Sequence, residues 1–159
     1  MAKMNWLKFV FAIIICQLAG VIGGVFTSKS VDTWYTTLQK PGLTPPGGII
    51  GIVWICLFVL MGISLYIVWE KFPKNKKAKN ALILFGVQLA LNMLWSVFFF
   101  GMKSPFFALI DIVVLWLLIL ATIFKFYRIS KISAYLLVPY ILWVSFASYL
   151  NFSIWRINS

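Results

Sequence analysis

The sequence contains no histidine, and this absence excludes several classes of catalytic and metal-binding site. Without an imidazole, the chain cannot form a Ser-His or Cys-His nucleophilic pair, a two-histidine zinc site or a histidine ligand for haem iron. Its two cysteines, Cys16 and Cys56, fall inside apolar runs, where small buried thiols are more common than a disulfide or a metal pair. We therefore predict no metal site and no required cofactor, and metal-dependent hydrolysis lies outside the expected functions.

Charged residues are scarce and mostly of one sign. They make up 11% of the chain, with three acids against fourteen Lys and Arg, whereas an ordinary globular protein has about a quarter. By contrast, 63% of the 159 residues are hydrophobic, about the content that five membrane spans of roughly 20 residues would use. This composition excludes a soluble domain and a disordered chain. The net charge of +11 does not predict a nucleic-acid partner, because the charges lie between apolar runs rather than on one water-facing patch.

Five apolar runs are each long enough to cross a bilayer as a helix. The sequence therefore predicts an all-α integral membrane protein, a bundle of five transmembrane helices forming a single domain over residues 1–159. The first run is too long for a signal peptide and no small-residue cleavage site follows it before Thr27, so we assign it as a span. The predicted spans are residues 7–26, 49–69, 81–101, 106–124 and 134–154.

A long polar segment separates the first two spans. Thr27 to Gly48 is rich in Pro, Gly and Thr, too polar to cross the membrane and too long for a simple turn. Long structured loops of this kind often carry function. We therefore treat this loop as a candidate functional segment.

The distribution of basic residues predicts the orientation. Ten of the fourteen Lys and Arg lie on one side of the five spans, and the side with the excess is normally cytoplasmic. The N-terminus is thus predicted on the cytoplasmic side, with the long loop and the C-terminus outside, and the lysine-rich composition favours a bacterial cell membrane over an organelle membrane. The basic segment from Lys71 to Lys79 either only maintains this topology or also contacts anionic lipid headgroups. The other side carries Lys29, Lys40, Lys103 and Arg156.

A polar stripe runs along the third span. Gln88, Asn92 and Ser96 are spaced four residues apart and share one helical face, which must point away from lipid. One interpretation is hydrogen bonding between helices, a common use of these side chains in membranes. The other is a wall of a ligand site, for which the neighbouring Trp95 would also be suitable.

Two aromatic faces with adjacent small residues occur on the second and fifth spans. Trp54, Phe58 and Gly62 form the first, and Trp143 followed by Ala147 forms the second. Two such faces could clasp a flat apolar ligand. The alternative is core packing and interfacial placement, which explains most membrane tryptophans.

Three further residue patterns within the spans have structural alternatives. Pro139 predicts a kink near residues 135–139. Asp111 is the only acid inside a span; it serves either as a proton or cation relay or as a structural hydrogen-bonding group. Gly20 and Gly24 allow close helix approach, and we favour a partner helix in the same chain over one in a second copy.

Several spaced motifs together resemble one membrane protein family. The segment WYTTLQKP, which begins at Trp34, is followed by Pro45-Pro46 and then Trp54, and this order resembles the WYxxLxKPxxxPP loop of the TspO/MBR family, the translocator proteins once called peripheral benzodiazepine receptors. The similarity continues through the last span. It is carried there by QLALN from Gln88, Trp95, FFG from Phe99, ALID from Ala108, Pro139-Tyr140, Trp143, Phe146-Ala147 and Leu150-Asn151.

The resemblance implies a homodimeric five-helix bundle that binds protoporphyrin-type tetrapyrroles or synthetic benzodiazepine-type ligands beneath the long loop, acting as a sensor, scavenger or photo-oxidative degrader in contact with lipid. Porphyrin would be a ligand rather than a cofactor, and Lys40 could meet its propionates. The pocket residues implied by this family pattern are Tyr35, Pro45, Trp54, Phe58, Gln88, Asn92, Trp95, Ser96, Trp143, Ala147 and Leu150.

Some family members degrade protoporphyrin under light, and the implicated tryptophans correspond to Trp54 and Trp143. The resemblance leaves two outcomes open, because a reactive indole beside a photosensitiser is either part of a turnover cycle or is itself damaged. Two departures from the family pattern shape the expected ligand. Tyr149 and Arg156 are separated by six residues, outside the sterol motif L/V-x(1–5)-Y-x(1–5)-K/R, so cholesterol is not an implied partner. Phe58 replaces a tyrosine found in many members, which removes one hydroxyl from the pocket.

The rival function from another class is a small secondary transporter or channel for apolar or anionic molecules, including sterol, lipid or porphyrin. Transporters of this kind usually show duplicated halves and intramembrane charges. This chain shows no internal repeat, and Asp111 is its sole candidate charge within a span.

Overall fold

The computed structural model describes residues 3–159, and over that range the chain is all-helical. Five helical segments are long and apolar enough to cross a membrane, which confirms the predicted fold class. The elements are α1 (Trp6–Ser30), a 3-10 turn (Tyr35–Thr37), α2 (Gly47–Lys71), α3 (Lys76–Ser96), a π-helical turn (Val97–Gly101), α4 (Pro105–Tyr127), α5 (Lys131–Leu136) and α6 (Val138–Asn158).

Four of the six α-helices in the described chain start at a polar side chain that caps them, and α2 and α6 do not. The side chain of Asn5 accepts a hydrogen bond from Lys8 N at the start of α1, and Asn75, Ser104 and Ser130 cap α3, α4 and α5 in the same way. Each cap satisfies an N–H that the first helical turn leaves free. The helices therefore extend beyond the apolar runs, which mark only the part that the hydrocarbon can cover.

The loop between α1 and α2 is shorter than predicted. It spans residues 31–46 rather than Thr27 to Gly48, because α1 continues through Ser30. Thr27 Oγ1 donates to Gly23 O at 3.1 Å, and the buried Ser30 Oγ donates to Phe100 O at 2.8 Å. These hydroxyls are hydrogen-bonded within the bundle, so the polar C-terminal end of α1 can remain helical.

The last span is broken at Leu137, between α5 and α6. Pro139 lies in the first turn of α6, where its missing N–H is not needed. The kink predicted near residues 135–139 is confirmed. The break lies just before Tyr140, which is buried in the core.

The third span ends in a π-helical turn, Val97–Gly101, that the 3.6-residue periodicity did not predict. Met102 N donates to Val97 O at 2.8 Å, which closes a turn with one extra residue. Phe99 and Phe100 both lie within this turn, and both are buried. The turn thus directs two consecutive aromatic side chains towards the interior.

Small residues set the approach of α1 to α2 and α3. A Cβ at Gly62 would lie 2.7 Å from the Cα of Ile13, and one at Gly20 would lie 2.7 Å from the ring of Phe58. Gly24 has open space instead. The GxxxG pair is therefore divided: Gly20 packs within the chain, as favoured from the sequence, whereas Gly24 does not.

Candidate functional site

The centre of the site is a buried hydrogen-bonded network between α3 and α6. The Tyr140 hydroxyl donates to Gln88 Oε1 at 2.7 Å, and Asn92 Nδ2 donates to the same hydroxyl at 2.8 Å. All three side chains are buried. The inward orientation predicted for the polar stripe is confirmed, and the hydrogen-bonding interpretation holds for Gln88 and Asn92.

The next turn of α3 continues the stripe with different partners. Trp95 Nε1 donates to Asn151 Oδ1 at 2.9 Å, and Asn151 Nδ2 donates to Pro105 O at 2.8 Å. Ser96 is half-buried, and its Oγ would lie 3.1 Å from a Cβ added at Gly23. The stripe therefore connects α3 with α1, α4 and α6. Of its three residues, Gln88 and Asn92 bond to Tyr140.

The aromatic face of α2 lies against the Tyr140 network. The rings of Trp54 and Phe58 stack, with centroids 5.5 Å apart and planes inclined by 29°, and Trp54 meets Tyr140 edge-on at 6.3 Å. The small residue predicted beside this face, Gly62, does not leave an open space for a ligand. Backbone and side-chain atoms of Ile13 occupy the space at Gly62, because α1 uses the missing side chain to approach α2 closely.

Trp143, on α6, lies one turn beyond Tyr140 and presents an unsatisfied donor. Its Nε1 is buried and has no hydrogen-bond partner among residues 3–159, an uncommon condition for a buried polar group. Trp143, Ala147 and Trp54 pack against the same hydrophobic core. Leu150, also a predicted pocket residue, is half-buried on α6.

An aromatic layer connects the α1–α2 loop with α3. Trp34 and Tyr35 contact Phe99 and Phe100, with Trp34–Phe99 at 5.6 Å and Tyr35–Phe100 at 5.5 Å between centroids. Trp95 stacks on Phe99 at 4.9 Å. The loop thus covers the π-helical turn.

The loop is held to the end of α6 by a reciprocal amide pair. Gln39 N donates to Asn158 Oδ1 at 3.0 Å, and Asn158 Nδ2 donates to Gln39 O at 2.9 Å. Lys40 Nζ lies 4.4 Å from the centroid of the Tyr35 ring, and burial raises the pKa of the Tyr35 hydroxyl above its usual value. Pro45 is half-buried just before α2. The predicted loop residues therefore lie in a closed, folded segment.

Asp111 is buried on α4, and its Oδ2 has no hydrogen-bond partner in the described chain. The structural alternative considered above, a hydrogen bond near the end of the fourth span, does not account for this oxygen. Gln88 Nε2 is a third buried side-chain atom without a partner. Among residues 3–159, the core thus holds two donors and one carboxylate oxygen without a partner.

Sequence reasoning gave little weight to Tyr140 as a site residue and did not place Phe99 and Phe100 in the site. Tyr140 directly follows Pro139, and a hydroxyl at the start of a kinked helix was a usable signal. The inward orientation of Phe99 and Phe100 depends on the π-helical turn, which leaves no mark in the hydrophobic periodicity.

Comparisons with known proteins match nearly the whole chain. The sequence model of the TspO/MBR family matches residues 12–156. The chain is 46% identical over 144 residues to the tryptophan-rich protein TspO of Chlorobaculum tepidum, covering 91% of each chain. It is 44% identical over 157 residues to the protein of that name from Archaeoglobus fulgidus, covering 98% of this chain and all of the relative. Identity to the human translocator protein is 36% over 143 residues, covering 89% and 85% of the two chains.

Proposed function

The chain belongs to the TspO/MBR family, and from this membership we propose that it is an integral membrane protein that binds a protoporphyrin-type tetrapyrrole beneath the α1–α2 loop. The macrocycle would lie between the aromatic faces of α2 and α6, with α3 as the third wall. A flat synthetic ligand of the benzodiazepine type would use the same faces. The protein would act as a tetrapyrrole sensor or scavenger.

The free N–H of Trp143 is the observation that carries this proposal. A buried donor without an acceptor lowers stability unless something else binds it. Trp54 borders the same core as Trp143, so a ligand that meets both indoles could offer an acceptor to one and a flat apolar surface to the other. A tetrapyrrole has both features, since its macrocycle is flat and apolar and its propionates are acceptors.

Binding requires local opening, because aromatic side chains fill the space between these elements. The contact of Trp54 with Tyr140 and the contact of Tyr35 with Phe100 would separate to admit the macrocycle. Contacts of the same rings with the ligand would then replace their contacts with one another, which limits the cost of opening. The loop, joined to α6 by one amide pair, is the segment that would move.

Light-driven degradation is a chemical extension of binding at this site. An excited porphyrin can transfer its energy to dissolved dioxygen, and the excited dioxygen then adds to a double bond of a nearby indole or of the macrocycle; neither step needs histidine or a metal. Trp54 and Trp143 are the indoles that would participate. Whether the porphyrin is consumed over many turnovers, or the indoles are modified once, is decided by measuring the stoichiometry.

The test is a titration of the detergent-solubilised protein with protoporphyrin. Tryptophan quenching and the porphyrin absorption band are followed in the dark, and porphyrin loss is followed under light. We expect saturable binding at micromolar ligand, weakened about tenfold, or about 1.4 kcal/mol, in the double variant Trp54→Phe with Trp143→Phe. The absorption band is read as well as quenching, because it does not depend on the number of tryptophans.

The matched control replaces two tryptophans outside the core, Trp6→Phe with Trp155→Phe, and should bind as the wild type does. Porphyrin loss over many turnovers that vanishes in the Trp54/Trp143 variant would make the protein a degrading enzyme. Saturable binding without loss would make it a receptor or carrier. If no saturable binding occurs, the site assignment is wrong, although the five-helix fold is unaffected.

The free oxygen of Asp111 supports a second candidate function, a transporter of small apolar or anionic molecules. An intramembrane carboxylate without a partner is a typical feature of ion or proton pathways. Flux of porphyrin into proteoliposomes that disappears in Asp111→Asn would support transport. Binding that depends on Trp143 without any flux would exclude it.

A further inference from the structure

A basic cavity lies at the end of the bundle opposite the α1–α2 loop. Its volume is about 230 Å³, and it is formed where α3 begins and α4 ends. Three of its four lining side chains are cations. The cations are Lys77 from α3, Lys125 from α4 and Arg128, which directly follows α4, and the fourth lining residue is Asn80 from α3.

The packing of α3 against α4 brings these four side chains together. Each helix contributes a pair at i and i+3, which lie on one face. Ala78 and Ala81 are completely buried, and Phe85 stacks on Phe126 with centroids 5.8 Å apart and planes inclined by 9°. The small alanines and the aromatic pair hold the two helices close, which brings the four lining residues to one place on the surface.

No carboxylate of this chain is available to neutralise the cavity. The sequence has three acidic residues: Glu70 pairs with Lys8 at 3.3 Å, Asp111 is buried inside the bundle, and Asp32 lies in the loop at the opposite end. The three cations at this cavity are solvent-exposed, and together they attract an anion from outside the chain.

The helix macrodipole explains the positions of only two of the three cations. Lys125 and Arg128 lie at the C-terminal end of α4, where a positive charge is favourable. Lys77 lies in the first turn of α3, which contains no acid, although that end of a helix favours negative charge. Its position is unfavourable within the isolated fold and becomes favourable when an anion occupies the cavity.

We propose that this cavity binds the phosphate of an anionic membrane phospholipid. The Arg128 guanidinium suits two phosphate oxygens, and the lysines contribute point charges. One turn further along α3 and α4, towards the centre of the bundle, lie the apolar and half-buried Leu84 and Ala121. An acyl chain attached to the phosphate would have these side chains to pack against, whereas a soluble phosphate would not use them.

The experiment is native mass spectrometry of the full chain in a non-ionic detergent, titrated with phosphatidylglycerol, phosphatidylcholine or inorganic phosphate in the absence of porphyrin. We expect retained phosphatidylglycerol, bound at least tenfold more weakly by a variant that removes the three cavity charges. A control variant that removes three other charges from the same end should bind within twofold of the wild type. The cavity variant is Lys77→Gln, Lys125→Gln and Arg128→Gln, and the control is Lys71→Gln, Lys74→Gln and Lys79→Gln.

Three results would overturn the proposal. Equal weakening of phosphatidylglycerol binding in both variants would indicate general charge attraction. Equal retention of phosphatidylcholine and phosphatidylglycerol would indicate a site that does not select for a negatively charged headgroup. Inorganic phosphate that binds as tightly as the lipid would indicate a soluble anion. If the triple cavity variant does not fold, Arg128→Gln alone is compared with Lys79→Gln, with the thermal midpoint as the folding check.

Discussion

The hydroxyl of Tyr140 donates a 2.7 Å hydrogen bond to Oε1 of Gln88. The same hydroxyl accepts a hydrogen bond from Asn92, and the Tyr140 ring contacts Trp54 edge-on. One side chain of α6 is thus bonded to α3 and packed against α2. Tyr140 therefore connects three helices at the candidate site. Its loss should lower both the free energy of unfolding and the affinity for a ligand.

Tyr140→Phe should destabilise the protein by about 1 to 2 kcal/mol, because it removes two interhelical hydrogen bonds and leaves Gln88 Oε1 and Asn92 Nδ2 buried without partners. Unfolding by SDS, followed by helical ellipticity, measures the change. Tyr149→Phe is the control, since Tyr149 is exposed. Equal stability of the two variants would show that the network contributes nothing to the fold.

Two glycines of α2 should respond to alanine with opposite signs. Gly62→Ala places a methyl group 2.7 Å from Ile13 Cα and should cost about 1 to 3 kcal/mol through overpacking. Gly51→Ala enters open space and should stabilise the helix by about 0.5 to 1 kcal/mol. The same SDS unfolding assay compares them. A neutral Gly62→Ala would mean that α1 can move away from α2 without cost.

Asn158→Ala should loosen the α1–α2 loop, because it removes both hydrogen bonds to Gln39. With a net value of about 1 kcal/mol for each of the two bonds, amide exchange in residues 31–46 should become roughly thirtyfold faster. Hydrogen-deuterium exchange read by mass spectrometry gives the rates. Ser159→Ala is the control, since Ser159 Oγ bonds only to its own helix. Unchanged exchange in the loop would show that other interactions hold it.

The orientation predicted from the basic residues is tested by cysteine labelling. In a background with Cys16→Ala and Cys56→Ala, Ser159→Cys should react with a membrane-impermeant thiol reagent on intact cells. Lys74→Cys should react only after permeabilisation, because the side with more Lys and Arg remains in the cytoplasm. The reverse labelling pattern would place the long loop on the cytoplasmic side of the membrane.

Much of the fold follows from local sequence patterns. The apolar runs predict the five spans, and Pro139 predicts the break confirmed at Leu137. The four-residue spacing of Gln88 and Asn92 predicts their inward orientation, since a polar stripe cannot face lipid. Each of these predictions depends only on residues within about one helical length.

The partners of these residues could not be predicted in the same way. Spacing did not show that Gln88 and Asn92 share Tyr140, that Ile13 fills the notch at Gly62, or that Gly20 receives Phe58. The π-helical turn was also missed, since one extra residue per turn does not alter the apolar content of the segment. These are properties of two or more elements packed together.

The sequence by itself determined that the chain is a five-helix membrane protein with a polar face on α3 and aromatic faces on α2 and α6, because the bilayer demands long apolar runs and directs polar groups away from lipid. Only the tertiary structure decided which of these groups satisfy one another and which stay free, as Trp143 Nε1 and Asp111 Oδ2 do. The physical reason is that hydrogen bonds and close packing act over a few ångströms between residues far apart in the chain, and helical periodicity carries no information about which helices are neighbours.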